Sequence, residues 1–186
     1  MAGESRARLL ELLRTRAFER RRVVLASGRE SDFFIDCKQA VLSAEGHALV
    51  GDVMLEVVRS GLPACVAVAG VELGGCPLAS AVALTSFLRG TALDALYVRK
   101  DAKDHGTRRL VEGSTRLPAG SPVVLLEDVV TTGGSTLKAA DKLREAGYPV
   151  VGVVALVDRL EGGREAIEAH GFTLLALYTR DDFIPA

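Results

Sequence analysis

The stretch Val150–Asp158, "VVGVVALVD", constrains the fold more than any other part of the chain. Its first eight residues carry no polar side chain. Alternating polar and apolar residues would mark a sheet with one face in water. A continuous, largely β-branched run marks a strand buried on both faces. "ACVAVAGV", "ALYVRK", "PVVLLED" and "TLLALYT" read the same way, with helical segments at Pro77–Leu88, Ser135–Ala146 and Gly163–His170 between or beside them. Such strand–helix–strand units predict an α/β fold, a parallel central sheet flanked by helices. The apolar runs are strand-sized, far below the ~20 residues needed to span a membrane.

The first part of the chain differs. Leu9, Leu10, Leu12, Leu13 and Phe18 line one side of a predicted opening helix. Its mixture of acids and arginines lacks the apolar core of a signal peptide. "VVLASGRESDFFID" reads as two short strands around the turn Ser27-Gly28-Arg29, a small N-terminal flap or hood over the sheet. Ser43 is placed to N-cap a helix running to about Ser60, which Gly61-Leu62-Pro63 stops. The segment from Asp101 to Gly120 is polar. There is no repeat or linker, so residues 1–186 are expected to form a single domain. A net charge of −1 gives no reason to expect a nucleic-acid or acidic-membrane partner. Three widely spaced cysteines, Cys37, Cys65 and Cys76, fit reduced thiols in the cytoplasm better than disulfides or a zinc site.

In parallel sheets, ligands lie beyond the carboxyl ends of the strands. That directs attention to the loops after Val71, Lys100, Asp128 and Asp158. The third begins in "VVLLEDVVTTGGST", Val123 to Thr136, which has neither of the two commonest glycine-rich nucleotide motifs. Gly133 and Gly134 let successive N–H groups turn inward at a helix start, and Thr131, Thr132, Ser135 and Thr136 add hydroxyl donors. This suits a phosphate monoester. Glu127 and Asp128 repel phosphate but accept hydrogen bonds from sugar hydroxyls. A ligand with phosphate at one end and a vicinal diol at the other satisfies both halves; the alternative is a pair of acids that merely cap the loop.

This stretch resembles the phosphoribosyl-pyrophosphate (PRPP) signature of the type I phosphoribosyltransferases. The resemblance implies that Glu127 and Asp128 hold the ribose hydroxyls. The run Val129, Val130, Thr131, Thr132, Gly133, Gly134 and Ser135 would then hold the 5′-phosphate. It also implies Mg²⁺ carried in by PRPP, with no metal ligated by protein alone. A second segment, "YVRKDAKDHGTRR", places Arg99, Lys100, Lys103, His105, Arg108 and Arg109 within eleven residues. By itself it is either a solvated charged loop or a lid that neutralises a leaving diphosphate. "RKDAKDHG" is very similar to the catalytic loop of the orotate phosphoribosyltransferases. That likeness implies PRPP contacts from Arg99, Lys100, Lys103 and His105, catalytic roles for Lys103 and His105, and a homodimer with shared active sites.

Two further segments agree. "SGRESDFFID" resembles the part of that family that contacts the base, so Phe33 and Phe34 would face orotate; the other reading makes them core aromatics. "VVALVDRLEGG" resembles the segment whose arginine contacts orotate, here Arg159, for which a surface salt bridge is the alternative. Thr131 also maps to an orotate contact. The family pattern is broken at Ala26, where a lysine is usual, and in "GVELGGCPLAS", where Glu72 and Gly74-Gly75 replace a lysine-bearing loop. "GTRRLVEG" stands where a glycine-rich stretch is usual. His47 and His170 are expected to be structural or exposed. The competing functions are transfer to a purine base, and a regulator that keeps a PRPP pocket without catalysis.

Overall fold

The computed structural model describes residues 2–24, 30–101 and 109–184. The opening helix α1, Ala2–Arg16, is shorter than expected. Phe18 instead begins β1, Phe18–Val24, which pairs antiparallel with β2, Glu30–Ile35. Two strands thus flank Ser27-Gly28-Arg29 as expected, but β1 begins at Phe18 and not at Val23; the exposed arginines of "FERRRVV" hide its first part from a reading by apolar runs. A short helix α2, Lys38–Val41, follows unforeseen, and then α3, Ala44–Gly61. The Ser43 hydroxyl caps α3 by accepting from the Gly46 N–H at 3.1 Å.

The remaining elements alternate. They are β3 (Ala67–Val71), α4 (Gly75–Leu88), β4 (Asp94–Val98), β5 (Val111–Glu112) and β6 (Val123–Val130). After them come α5 (Gly134–Glu145), β7 (Val150–Asp158), α6 (Gly163–Ala169) and β8 (Leu174–Thr179). The sheet has the order β5-β4-β3-β6-β7-β8. All neighbours are parallel except β5, a two-residue edge strand antiparallel to β4 within the segment expected to be merely polar. The mostly parallel sheet flanked by helices is thus as expected, with one antiparallel edge added.

Alternate residues of the apolar strands feed two cores. Val124 and Leu126 of β6 pack with α1, α3 and α4, and Val123 and Leu125 pack with α5 and α6. Burying such a side chain is worth roughly 1.5–3 kcal/mol, so covering both faces is what the continuous runs require. The β1–β2 hairpin is tied to the far end of the sheet. The Phe18, Phe33 and Phe183 rings meet with centroids 5.1–5.6 Å apart, and Arg180 donates to Asp32 at 3.0 Å.

The strand order creates the crevice. From β3 the chain winds outward through β4, and from β6 it winds the other way, so the connections diverge between these two central strands. β3 pairs with β6 only as far as Leu126, whereas β6 continues to Val130, two residues past its expected end at Asp128. Beyond Leu126, β6 keeps its β7 neighbour, with Glu127 opposite Ala155, but loses β3. The two acids stand where that edge opens.

Candidate active site

Glu127 is only 4 % exposed. Its Oε2 accepts from the Ser135 hydroxyl at 3.2 Å and the Thr136 hydroxyl at 3.0 Å, both on the first turn of α5. Burial, reinforced by the Asp128 carboxylate beside it, pushes the Glu127 carboxyl up to about 8. Asp128 is more accessible and lies against the β3–α4 turn. A methyl group on Gly74 would come within 1.9 Å of Asp128 Oδ2. Gly74 therefore leaves room for the Asp128 carboxylate.

Val129 and Val130 complete β6, and Thr131 and Thr132 lead to Gly133, the N-cap of α5, with φ at 78°. That left-handed conformation is one glycine adopts without strain. It turns the chain so that the first N–H groups of α5 open onto the loop, where the helix dipole favours an anion. Thr132, Gly134 and Ser135 are exposed and Thr131 is half-buried, so this cradle is accessible. Gly163 at the start of α6 supports it from behind: a methyl there would lie 2.6 Å from the Thr131 carbonyl oxygen.

On the other side of the acids, β4 delivers Arg99 and Lys100. The Lys100 N–H donates to Glu72 Oε2 at 2.8 Å, and the Arg99 N–H to the Leu110 carbonyl at 2.9 Å. The Arg99 guanidinium also approaches Glu112 at 3.8 Å. A cavity of about 390 Å³ lies between this segment and α5, with Val71, Val98 and Ala139 in its wall and Arg99, Lys100, Lys138 and Lys142 supplying positive charge. Lys103, His105 and Arg108, and the Ala26 position, lie outside the described residues.

β7 ends in Asp158, which is fully buried. It accepts from the Leu160 N–H at 2.9 Å and from Arg164 Nε at 3.1 Å, and so shapes the turn that carries Arg159. Arg159 is 8 % exposed, donates to the Phe33 carbonyl at 2.9 Å and pairs with Glu161 at 2.9 Å. It is thus inside the molecule, bridging sheet and hairpin, and not on the surface. The Phe33 ring is fully buried in the aromatic cluster, whereas Phe34 is half-buried with the Arg21 guanidinium 3.9 Å from its centroid. Of the two readings for Phe33, its ring follows the core one, and it meets Arg159 twice, through its carbonyl and with the guanidinium 5.3 Å from the ring centroid.

Reasoning from sequence did not single out Asp158, Lys142 or the contact of Gly74 with Asp128. Only Asp158 left a trace, as a charge ending an apolar strand. Among the described residues, no group of three or more His, Cys, Asp and Glu side chains is placed to hold a metal, and no helix is long and apolar enough to cross a membrane.

The phosphoribosyl transferase domain model matches residues 47–175. The chain is 71 % identical over 185 residues to an orotate phosphoribosyltransferase of Sorangium cellulosum, covering 99 % of this chain and 96 % of that protein. The crystal structure of Mycobacterium tuberculosis orotate phosphoribosyltransferase in complex with Fe(III) dicitrate superposes with a TM-score of 0.82 at 38 % identity, covering 97 % and 99 % of the two chains. The same enzyme in complex with PRPP gives 0.78 at 35 % identity, covering 96 % and 98 %.

Proposed function

This chain belongs to the phosphoribosyl transferase family, and from that premise we propose that it is an orotate phosphoribosyltransferase, transferring 5-phosphoribosyl from PRPP to orotate. The products are orotidine 5′-monophosphate and pyrophosphate. One observation carries the choice of base: the 71 % identity to an enzyme of that name extends over 185 residues, a span that includes both the hairpin and the Arg159 segment.

The chemistry follows from the site's polarity. The 5′-phosphate sits on the α5 N-terminus and the hydroxyls of Thr131, Thr132 and Ser135. Asp128 and Glu127 accept from the ribose hydroxyls. Glu127 must then exchange partners, since its inner oxygen is engaged with Ser135 and Thr136. Ring nitrogen of orotate attacks C1 as the C1–O bond to diphosphate breaks, through an oxocarbenium-like transition state. Charge grows on the leaving diphosphate, where Arg99, Lys100, Lys103 and His105 neutralise it. The charge of orotate at neutral pH is on its carboxylate, so the attacking ring N–H gives up its proton as the N–C1 bond forms. The departing diphosphate gains negative charge as the C1–O bond breaks and is a base able to take it, so no strong protein base is required. The Arg159 fork, oriented by the Phe33 carbonyl and Glu161, meets orotate oxygens.

Mg²⁺ fits this donor set as a hard cation brought by PRPP and not caged by protein. Asp128, accessible beside the Gly74 turn, would accept from its waters, and the ion would offset the diphosphate charge. A homodimer completes the proposal. Its support is an apolar patch on α4, where Leu84, Phe87 and Leu88 are 57 %, 70 % and 74 % exposed. Three free thiols fit a cytoplasmic setting.

The test is a panel of bases with PRPP, read as pyrophosphate release. Orotate is expected to react, and adenine and hypoxanthine are not. Turnover of a purine without orotate would reassign the base, and no release with any base would favour a binding protein.

A further inference from the structure

Lys142 lies on the last turns of α5, well away from the phosphate cradle at that helix's start. Its ammonium donates to two consecutive carbonyls at the end of β4, Arg99 at 2.8 Å and Lys100 at 2.6 Å. Two of its three protons are thereby committed to backbone. On the opposite side of the same peptide segment, Glu72 accepts from the Lys100 N–H at 2.8 Å. A lysine with no partner would extend into water and keep its side-chain entropy, which is worth up to about 2 kcal/mol. Here that freedom is given up for bonds to carbonyls at the base of the basic segment.

We propose that Lys142 is a positioning residue for the transfer reaction, holding the stem of the basic segment to the helix whose other end carries the phosphate cradle. This rests on the phosphoribosyl-transfer reading above. α5 is a rigid strut of 12 residues, about 18 Å long at 1.5 Å per residue. Its first turn meets the 5′-phosphate, and its last turns fix the backbone from which Arg99 and Lys100 project toward the diphosphate. The two charged ends of PRPP are thus registered against one another by a single element. Positional error at the reacting centre costs rate steeply, with about 1 Å worth up to ~100-fold.

The experiment compares Lys142→Met and Lys142→Arg with the unaltered enzyme. The unaltered enzyme is assayed first with orotate and PRPP, so a failure of the assigned reaction appears before any variant is judged. Lys142→Met keeps the stem length without the donors. It is expected to lower kcat about tenfold, leave the KM for orotate within about twofold, and speed hydrogen exchange at the Arg99 and Lys100 amides. Lys142→Arg, which can still donate to carbonyls, is expected to restore most of kcat. A Met variant with unchanged kcat and unchanged exchange overturns the proposal. So does an Arg variant as impaired as Met, or a Met variant whose orotate KM rises as far as its kcat falls.

Discussion

Replacing Gly74 with alanine isolates the contact between the β3–α4 turn and the acid pair. Gly74 has φ −67° and ψ −31°, a helical conformation open to any L-residue. On backbone grounds alone the change would stabilise by about 0.4–1 kcal/mol. Space decides otherwise. The new methyl would lie 1.9 Å from Asp128 Oδ2 and 2.2 Å from its Cγ, while ordinary contact begins near 3.4 Å. Asp128 is held by its backbone between two β6–β7 pairs, so its side chain must leave by changing rotamer. The carboxylate then moves by more than about 1 Å, enough to cost on the order of 100-fold, or about 2.7 kcal/mol of transition-state stabilisation. The expected result is kcat/KM for PRPP down about 100-fold with a thermal midpoint shifted by no more than a few degrees. Because the loss runs through Asp128, Gly74→Ala should add little on top of Asp128→Ala. A Gly74→Ala enzyme with kcat/KM within twofold of the original would refute the reasoning, as would losses that add in full.

Three other perturbations probe separate parts of the site. Burial pushes the Glu127 carboxyl up to about 8, above its unfolded value near 4.5, so the contribution of Glu127 to folding stability is full below pH 4.5 and declines as pH rises toward 8. Glu127→Gln should flatten that decline in denaturant titrations across the same window, and an unchanged slope would remove Glu127 as its source. Arg159→Lys keeps the charge but loses the planar fork, so the KM for orotate should rise about tenfold or more while that for PRPP stays within about twofold. Steady-state kinetics with each substrate varied separates the two. Lys103→Ala should cut turnover far more than PRPP binding measured by calorimetry, and equal losses in both would make Lys103 a binding group only.

Legibility followed the physics of each segment. β6 and β7 could be read from the chain because a strand buried on both faces has to be apolar throughout, whatever its neighbours. The hairpin was legible from its turn, but the start of β1 was not, because a strand segment with arginines in water looks like a charged helix or loop until it is paired. The acids and the glycine-hydroxyl turn were legible as chemistry, since phosphate and diol demand opposite partners within one short stretch. Their division of labour was not legible. Glu127 proves to be the buried partner of Ser135 and Thr136, and Asp128 the accessible one, because β3 stops pairing at Gly70 while β6 runs on.

The covalent order of residues alone therefore determined the layered α/β architecture, the glycine-hydroxyl turn at the start of α5 and the arginine that follows β7. Each of these depends on contacts local in sequence, or on a hydrophobic pattern that permits only one burial. The tertiary structure decided what depends on distance across the chain. It set Gly74 against Asp128, placed the Phe33 carbonyl on Arg159, and tied Lys142 to the carbonyls of Arg99 and Lys100. The hydrogen-bonded partners among these are 42 to 126 residues apart. The diverging connections at the centre of the sheet bring the first and third of these contacts together, and docking of the hairpin on the chain after β8 brings the second.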